Sequence, residues 1–264
     1  MAQSASGGLT VHSTIALDAL ATLDGWADRD TVVGAELGGS NTNRTWLVER
    51  SGERFVLRVD TPFAQRVGLD RQRESLIRQA VARAGLAPAL IVDDSARGVT
   101  ISEHKTGRTW NSDDLQDLEN LRLLAARLQV LHELPPVGSA FSLRDAAASY
   151  ALQLGDEASR QAAGEVATLL DGVHQRRLAL CHNDLVAQNL IAGERLWLID
   201  WEYAAVGDPM FDLAVVIEHH QLDDGLARSF LRLCLGTDRR SDFEDLARYR
   251  AIYRRIAALW RALV

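Results

Sequence analysis

At 264 residues the chain is long enough for one large domain or two lobes, and its 47% hydrophobic and 25% charged residues describe ordinary globular material. The formal net charge of −7 argues against a nucleic-acid partner, which would require a basic face. An acidic balance suits a cationic substrate, and it equally suits plain solubility.

Along the chain, Ser13 to Ala27 has Ile15, Leu17, Leu20, Leu23 and Trp26 spaced for one apolar helical face. Residues 1–12 before it are small and polar and are expected to fray. Short β-like runs follow at 31–33, 45–48 and 55–59, the last two joined by a Gly-containing loop at 49–53. Asp70 to Ala84 is predicted helical and is stopped by Gly85, with Pro88 beyond. Strands are predicted near 89–92 and 98–102. From Asp113 the helical period dominates, first in 115–134, which Pro135-Pro136 ends, then in 211–219, 225–235 and 242–263. Two more β-like runs fall at 178–181 and 196–199. Strands thus gather early and helices late, an α+β pattern that predicts a β-rich lobe over 1–102, a helical lobe over 103–264 and a cleft between them. Two cysteines, Cys181 and Cys234, cannot build a disulfide framework or a thiolate metal site. The first residues show no secretory signal, and no run approaches the roughly 18 apolar residues of a membrane span. A cytoplasmic protein with no membrane contact is expected.

The chemistry concentrates between His182 and Glu202. His182-Asn183-Asp184 is followed by Asn189 and then, after Leu196-Trp197-Leu198-Ile199, by Asp200. Phosphoryl transfer needs a carboxylate to take or orient the proton of an attacking hydroxyl, and it needs oxygen ligands for magnesium on the phosphates. Asp184 fits the first role, Asn189 and Asp200 the second, because magnesium prefers hard oxygen donors. Alone, each of these residues is more often a turn or cap residue. Together, in the order H-x-D-x-x-x-x-N then Asp, they match a kinase catalytic loop and point to a small-molecule kinase.

Other residues extend the pattern. Gly38-Gly39-Ser40-Asn41 precedes a strand, where backbone amides could meet phosphate oxygens, although a Gly-Gly turn alone is more often a hairpin. Arg58 lies on the 55–59 strand and could grip phosphate oxygens bidentately, with Glu74 on the next helix as candidate partner. Asp212 opens an apolar helix, where a buried carboxylate needs donors, and the backbone near His182 is the expected source. His182 either braces the loop or packs as a satisfied histidine, and His219-His220 is expected at the surface. Trp201, Glu202 and Tyr203 combine aromatic faces with a carboxylate, a good environment for a cation, and Tyr253 and Trp260 share a helix face. Aromatic pairs at helical spacing are more often core.

The series Leu37 to Asn43, Phe55 to Val59, Arg71 to Glu74, Leu131-His132, His182 to Asn189, Ile199 to Tyr203 and Gly207 to Ala214 resembles the aminoglycoside phosphotransferase and choline kinase superfamily. The Ile-Asp-Trp-Glu-Tyr run is most similar to its choline, ethanolamine and thiamine kinase branch. The resemblance implies the bilobal protein-kinase-like fold. It implies ATP against the backbone near Ser102 to Lys105, with Glu103 and His104 in the nucleotide site, and its phosphates under Gly38 to Asn41. Arg58 stands where protein kinases have lysine, and Trp201-Glu202 replace the Phe-Gly that follows the metal Asp there. The expectation is an ATP- and Mg2+-dependent kinase acting on a small-molecule cationic alcohol, choline or ethanolamine first, then thiamine or an aminoglycoside. A nucleotide-binding pseudokinase would lack Asp184, Asn189 or Asp200, and all three are present.

Overall fold

Alternation of buried and exposed residues organises the first part of the chain, seen here in a computed structural model that describes residues 11–237 and 239–264, with side chains from residue 14 onward. Strands β1 (Thr31–Gly39), β2 (Asn43–Arg50), β3 (Glu53–Asp60), β4 (Leu90–Asp94) and β5 (Val99–Glu103) form one antiparallel sheet in the order β1-β2-β3-β5-β4. Trp46 and Val48 on β2, Leu57 on β3 and Ile101 on β5 point to one face and are buried there. Helix α1 (Val11–Ala21) covers that face with Ala16, Ala19 and Leu20. The helix is shorter than the expected 13–27. The chain tightens into i→i−3 bonds at Thr22 and Leu23 and turns at Gly25, whose φ is +74°, so Leu23 and Trp26 enter the core from turns. Trp26 meets Phe55 edge-on at 5.1 Å, and the Arg50 guanidinium lies 5.0 Å from its ring.

β1 runs through Gly38-Gly39, beyond the expected 31–33, because register shifts between Val33, Glu36 and Gly38 absorb its irregularity as bulges. A short helix, α2 (Pro62–Arg66), follows β3. This unit comprises residues up to 71 together with 88–104.

The second unit holds residues 72–87 and 105–264. The sequence places the lobe boundary at 102/103; most of helix α3 (Arg71–Arg83) nevertheless groups with the later residues. The reason is its apolar face: Ile77 and Val81, with Leu86 beyond, belong to the large cluster that includes Leu121, Leu124 and Leu198. The Leu198 amide also donates to the Leu86 carbonyl at 2.9 Å.

That cluster is enclosed by α4 (Leu118–Glu133), α5 (Leu143–Leu154), α6 (Glu157–Asp171), α7 (Met210–His219), α8 (Asp224–Leu235) and α9 (Arg240–Leu263). Two small sheets carry the motif residues: β6 (Arg108–Thr109) with β8 (Leu190–Ala192) and β9 (Leu196–Leu198), and β7 (Ala179–Cys181) with β10 (Ala205–Gly207). α7 is buried from Met210 through Ile217 without a polar face, as a central helix must be. α5 and α6 are not individually legible in the sequence, since α5 buries mainly alanines around Tyr150. None of the described helices is long and apolar enough to cross a membrane.

One buried charge network fixes the segment leading into β7. Asp245 on α9 is fully buried and accepts from Arg176 Nη1 at 2.5 Å, Arg248 Nη1 at 3.3 Å and the His174 amide at 3.3 Å. Arg176 also donates to Asp242 at 2.5 Å. Removing one partner of such a set strands buried charge. Asp245→Ala is expected to lower unfolding stability by about 3–5 kcal/mol, measured by urea denaturation; a loss below about 1 kcal/mol would contradict this role.

Candidate active site

β7 delivers the chain into the loop His182–Asn189, and one carboxylate holds that loop from beneath. Asp212, in the first turn of α7, is 0% exposed. A carboxylate so placed must be fully hydrogen-bonded. Its Oδ2 accepts the His182 amide at 3.1 Å and its Oδ1 the Asn183 amide at 2.7 Å. His132 Nε2, from the last turn of α4, lies 2.9 Å from Oδ2. Asn183 sits in left-handed conformation at φ +65°, and its side-chain amide donates to the Tyr203 carbonyl at 2.9 Å. The backbone is therefore gripped at the two residues before Asp184.

The β8–β9 hairpin brings the two expected metal ligands to one end. β8 and β9 pair Leu190 with Leu198, and the Ile199 amide donates to the Asn189 carbonyl at 2.9 Å, so Asn189 and Asp200 emerge side by side. The Asn189 amide nitrogen donates to the Asp184 carbonyl at 2.9 Å and to its Oδ2 at 3.0 Å. With both N–H bonds so engaged, the remaining Asn189 donor atom is the carbonyl oxygen, the atom a hard cation takes. Asp200 holds a left-handed φ of +61°, a strained backbone for a non-glycine residue and a mark of functional positions.

His182 braces the loop. It is fully buried, its Nε2 donates to the Ile199 carbonyl at 2.9 Å, and burial depresses its pKa, which favours the neutral ring. Trp201 packs on it at 4.5 Å and donates its indole N–H to the Leu198 carbonyl at 3.1 Å. Trp201, 2% exposed, is thus a core ring under the loop.

Electrostatics single out Asp184. Burial raises its carboxyl pKa to about 7, the neighbouring Glu202 charge adds to the rise, and the Asn189 hydrogen bond opposes it. A carboxylate tuned near neutrality is well matched to accepting a hydroxyl proton. Glu202 is itself buried, and its charge also pushes up the phenols of Tyr150, to about 12, and of Tyr203, after the larger effect of burial. Trp260 joins these rings, 5.6 Å from Tyr203 and 5.6 Å from Tyr150. Tyr150, on α5, is the member that sequence reasoning misses, because nothing in an alanine-rich segment marks a lone tyrosine. Tyr253 packs on Phe211 at 6.2 Å, its hydroxyl is 2.7 Å from His219 Nδ1, and burial, then the Asp184 charge, raise its pKa to about 12.

His220 contradicts the expected surface position. α7 ends at His219, and Gln221 at φ +52° turns the chain so that His220 goes inward, 4% exposed, with Nδ1 3.4 Å from Ser112 Oγ.

The expected nucleotide residues of the first unit are also placed. Gly38 and Gly39 end β1, and the turn proper is Ser40–Thr42. Its Ser40 amide donates to the Asn43 carbonyl at 2.8 Å, and the Ser40 hydroxyl accepts the Thr42 and Asn43 amides at 3.2 Å. A Cβ on Gly38 would meet nothing within 4 Å, leaving its backbone open to approach. The Asn41 carbonyl accepts the Thr61 hydroxyl, and the Thr42 carbonyl accepts the Thr61 amide at 2.9 Å. Arg58 Nε stands 3.8 Å from Asp60 Oδ1. Glu103 Oε2 accepts the Ala89 amide at 3.2 Å, and His104 donates its amide to the Arg54 carbonyl at 3.1 Å. In the second unit, Glu74 is buried with Arg78 Nη1 at 3.9 Å.

The profile of the phosphotransferase enzyme family matches residues 33–252. Protein LicA of Haemophilus influenzae is 32% identical over 193 residues, covering 69% of this chain and 72% of that protein. A second LicA sequence of the same species is 32% identical over 196 residues, but the chain spans only 57% of its length. Two solved structures share the fold. A choline/ethanolamine kinase family protein from Mesorhizobium loti is 23% identical with a TM-score of 0.76, over 94% of this chain and 84% of that one. Choline kinase LicA from Streptococcus pneumoniae is 22% identical with a TM-score of 0.77, over 96% and 90%. Both confirm the kinase-like α+β fold.

Two outcomes follow from these contacts. Asp212→Asn keeps the shape but replaces one acceptor oxygen with a donor, so turnover should drop by roughly 10–100-fold through loop misplacement; unchanged kcat would remove Asp212 from the positioning machinery. Burial and the neighbouring His219 lower the His220 pKa to about 4, below the ordinary 6.5. The fold therefore excludes a proton that the unfolded chain accepts, and stability present above pH 6.5 is lost as pH falls toward 4. His220→Gln should flatten that part of the urea-stability profile, and an unaltered slope would assign the pH dependence elsewhere.

Proposed function

The chain is a member of the phosphotransferase enzyme family, and from the geometry of its site we propose that it transfers the γ-phosphoryl group of ATP to the hydroxyl of a small cationic alcohol, choline or ethanolamine first. The observation that carries the reaction is the joined cluster of Asp184, Asn189 and Asp200, in which the Asn189 amide bonds the catalytic carboxylate from the same hairpin end as Asp200. Asp184 orients the alcohol and accepts its proton as the oxygen–phosphorus bond forms and ADP leaves. Magnesium, held by the Asn189 carbonyl oxygen and Asp200, would neutralise phosphate charge. The donor set fits that ion, since both residues offer hard oxygens. Arg58 and the amides of Gly38 to Asn41 would receive the phosphates, and the backbone of Ser102 to Lys105 the adenine.

For the acceptor, Glu202 beside the rings of Tyr150, Tyr203 and Trp260 supports a quaternary or primary ammonium. A carboxylate balances either charge, and π faces favour the quaternary ammonium most, because it holds its water weakly. The LicA relatives support the same ranking, since the solved LicA is described as a choline kinase.

The test is ADP release by the purified protein with ATP and magnesium against choline, ethanolamine, thiamine, kanamycin and simple sugars. Choline or ethanolamine should give the strong signal. Asp184→Ala should cut turnover by about 10³-fold with ATP binding retained, and Trp260→Ala should raise the alcohol KM while leaving the ATP KM in place. Near wild-type turnover in Asp184→Ala would sink the role assignment. ATP binding without turnover on any alcohol would favour a pseudokinase.

A further inference from the structure

The far end of β3 carries a carboxylate that the reaction outlined above does not use. Asp60 lies two residues beyond Arg58, so both side chains leave the same face of the strand. Four contacts immobilise it. Arg71 Nε donates to Oδ2 at 2.6 Å, and Arg71 Nη2 donates to Oδ1 at 2.8 Å, a bidentate clamp between largely buried side chains. The Asp60 amide donates to the Gly98 carbonyl at 2.8 Å. Gly98 itself, at φ +71°, presses against Asp60, and a Cβ there would lie 2.8 Å from the Asp60 Cβ and 3.1 Å from Oδ2. The next residue, Thr61, ties Asn41 and Thr42 of the β1–β2 turn to the same strand end.

We propose that Asp60 is a positioning residue for Arg58. A carboxylate locked by Arg71 and seated on Gly98 stands 3.8 Å from the Arg58 Nε, an ion-pair distance without a hydrogen bond, and its fixed charge favours one direction of the guanidinium, toward the phosphates. Arginine calls for this more than lysine does. Its planar fork binds phosphate well only when its orientation is set, whereas an ammonium is a point charge. Arg71 is the lock and Asp60 the guide.

The inference rests on the reading of Arg58 as a phosphate contact, and the experiment separates the two. Isothermal titration of the full-length protein with ATP plus magnesium, and with adenosine, gives an affinity ratio that isolates the phosphates. Arg58→Ala should lower that ratio sharply. Asp60→Asn should lower it about tenfold while adenosine binding and the alcohol KM stay unchanged, and Asp60→Glu should recover part of the loss. Gly98→Ala, which displaces the carboxylate without touching either arginine, should move the ratio the same way and serves if Asp60→Asn folds poorly. A lowered ratio for Arg58→Ala with an unchanged one for Asp60→Asn and Gly98→Ala overturns the role of Asp60 alone. An unchanged ratio for Arg58→Ala overturns both readings. Equal weakening of ATP and adenosine by Asp60→Asn would make Asp60 a merely structural residue and overturn the proposal.

Discussion

The loop His182–Asn189 depends on the buried carboxylate of Asp212. Two consecutive backbone amides, those of His182 and Asn183, have no ladder partner where they leave β7, and an unpaired buried amide costs about 1–3 kcal/mol. Asp212 satisfies both at once and is itself satisfied by His132. Each group thus solves the other's burial problem. The same bonds hold Asn183 in the left-handed region, which a loop of this shape could not otherwise sustain. From there the positions of Asp184 and the Tyr203 carbonyl are settled by short covalent and hydrogen-bonded links.

A second consequence concerns charge. Asp184 lies within the field of the buried Glu202, and burial together with that charge raises its pKa to about 7, so a nearby cation favours its ionised form. Under the proposed reaction two cationic groups would play that part: a divalent ion on Asn189 and Asp200, and an ammonium among Tyr150, Tyr203 and Trp260. The site's acidity is thus an invitation to positive ligands, whereas the overall charge of −7 says little by itself.

Much of this was legible in the sequence where chemistry needs fixed residue types at fixed spacing. The Asp184–Asn189–Asp200 series is read from its order alone, and the β8–β9 register shows how that spacing brings Asn189 and Asp200 side by side. The strand-rich beginning and helical remainder were equally visible. What escaped did so for physical reasons. Tyr150 lies on a helix whose buried face is alanine, too weak a stripe to reveal the helix, let alone its direction. Trp201 and Tyr203 lie two residues apart with opposite fates, one a core ring on His182 and the other edge-on to Trp260, and composition cannot separate them. Helix α3 follows the β-rich segment in sequence, yet Ile77 and Val81 pack into the larger cluster, and only packing shows which core an amphipathic helix joins.

Lys105 is the sole lysine among 29 basic residues, so nearly every cation in the chain is a guanidinium. That choice shapes the structure. A guanidinium cannot shed its charge, and it offers a rigid fork of donors that must be met by oxygens in its plane. Three half-buried arginines are accordingly seated on carboxylates: Arg71 on Asp60, Arg176 across Asp242 and Asp245, and Arg250, beside the exposed Arg254, on Glu218. Excess acidic residues are therefore partly the counterpart of arginine usage. Arg58 follows the same rule. On the proposed reading of Arg58 as a phosphate contact, the fixed carboxylate beside it would be part of the binding apparatus, because the direction of the fork decides what it can hold.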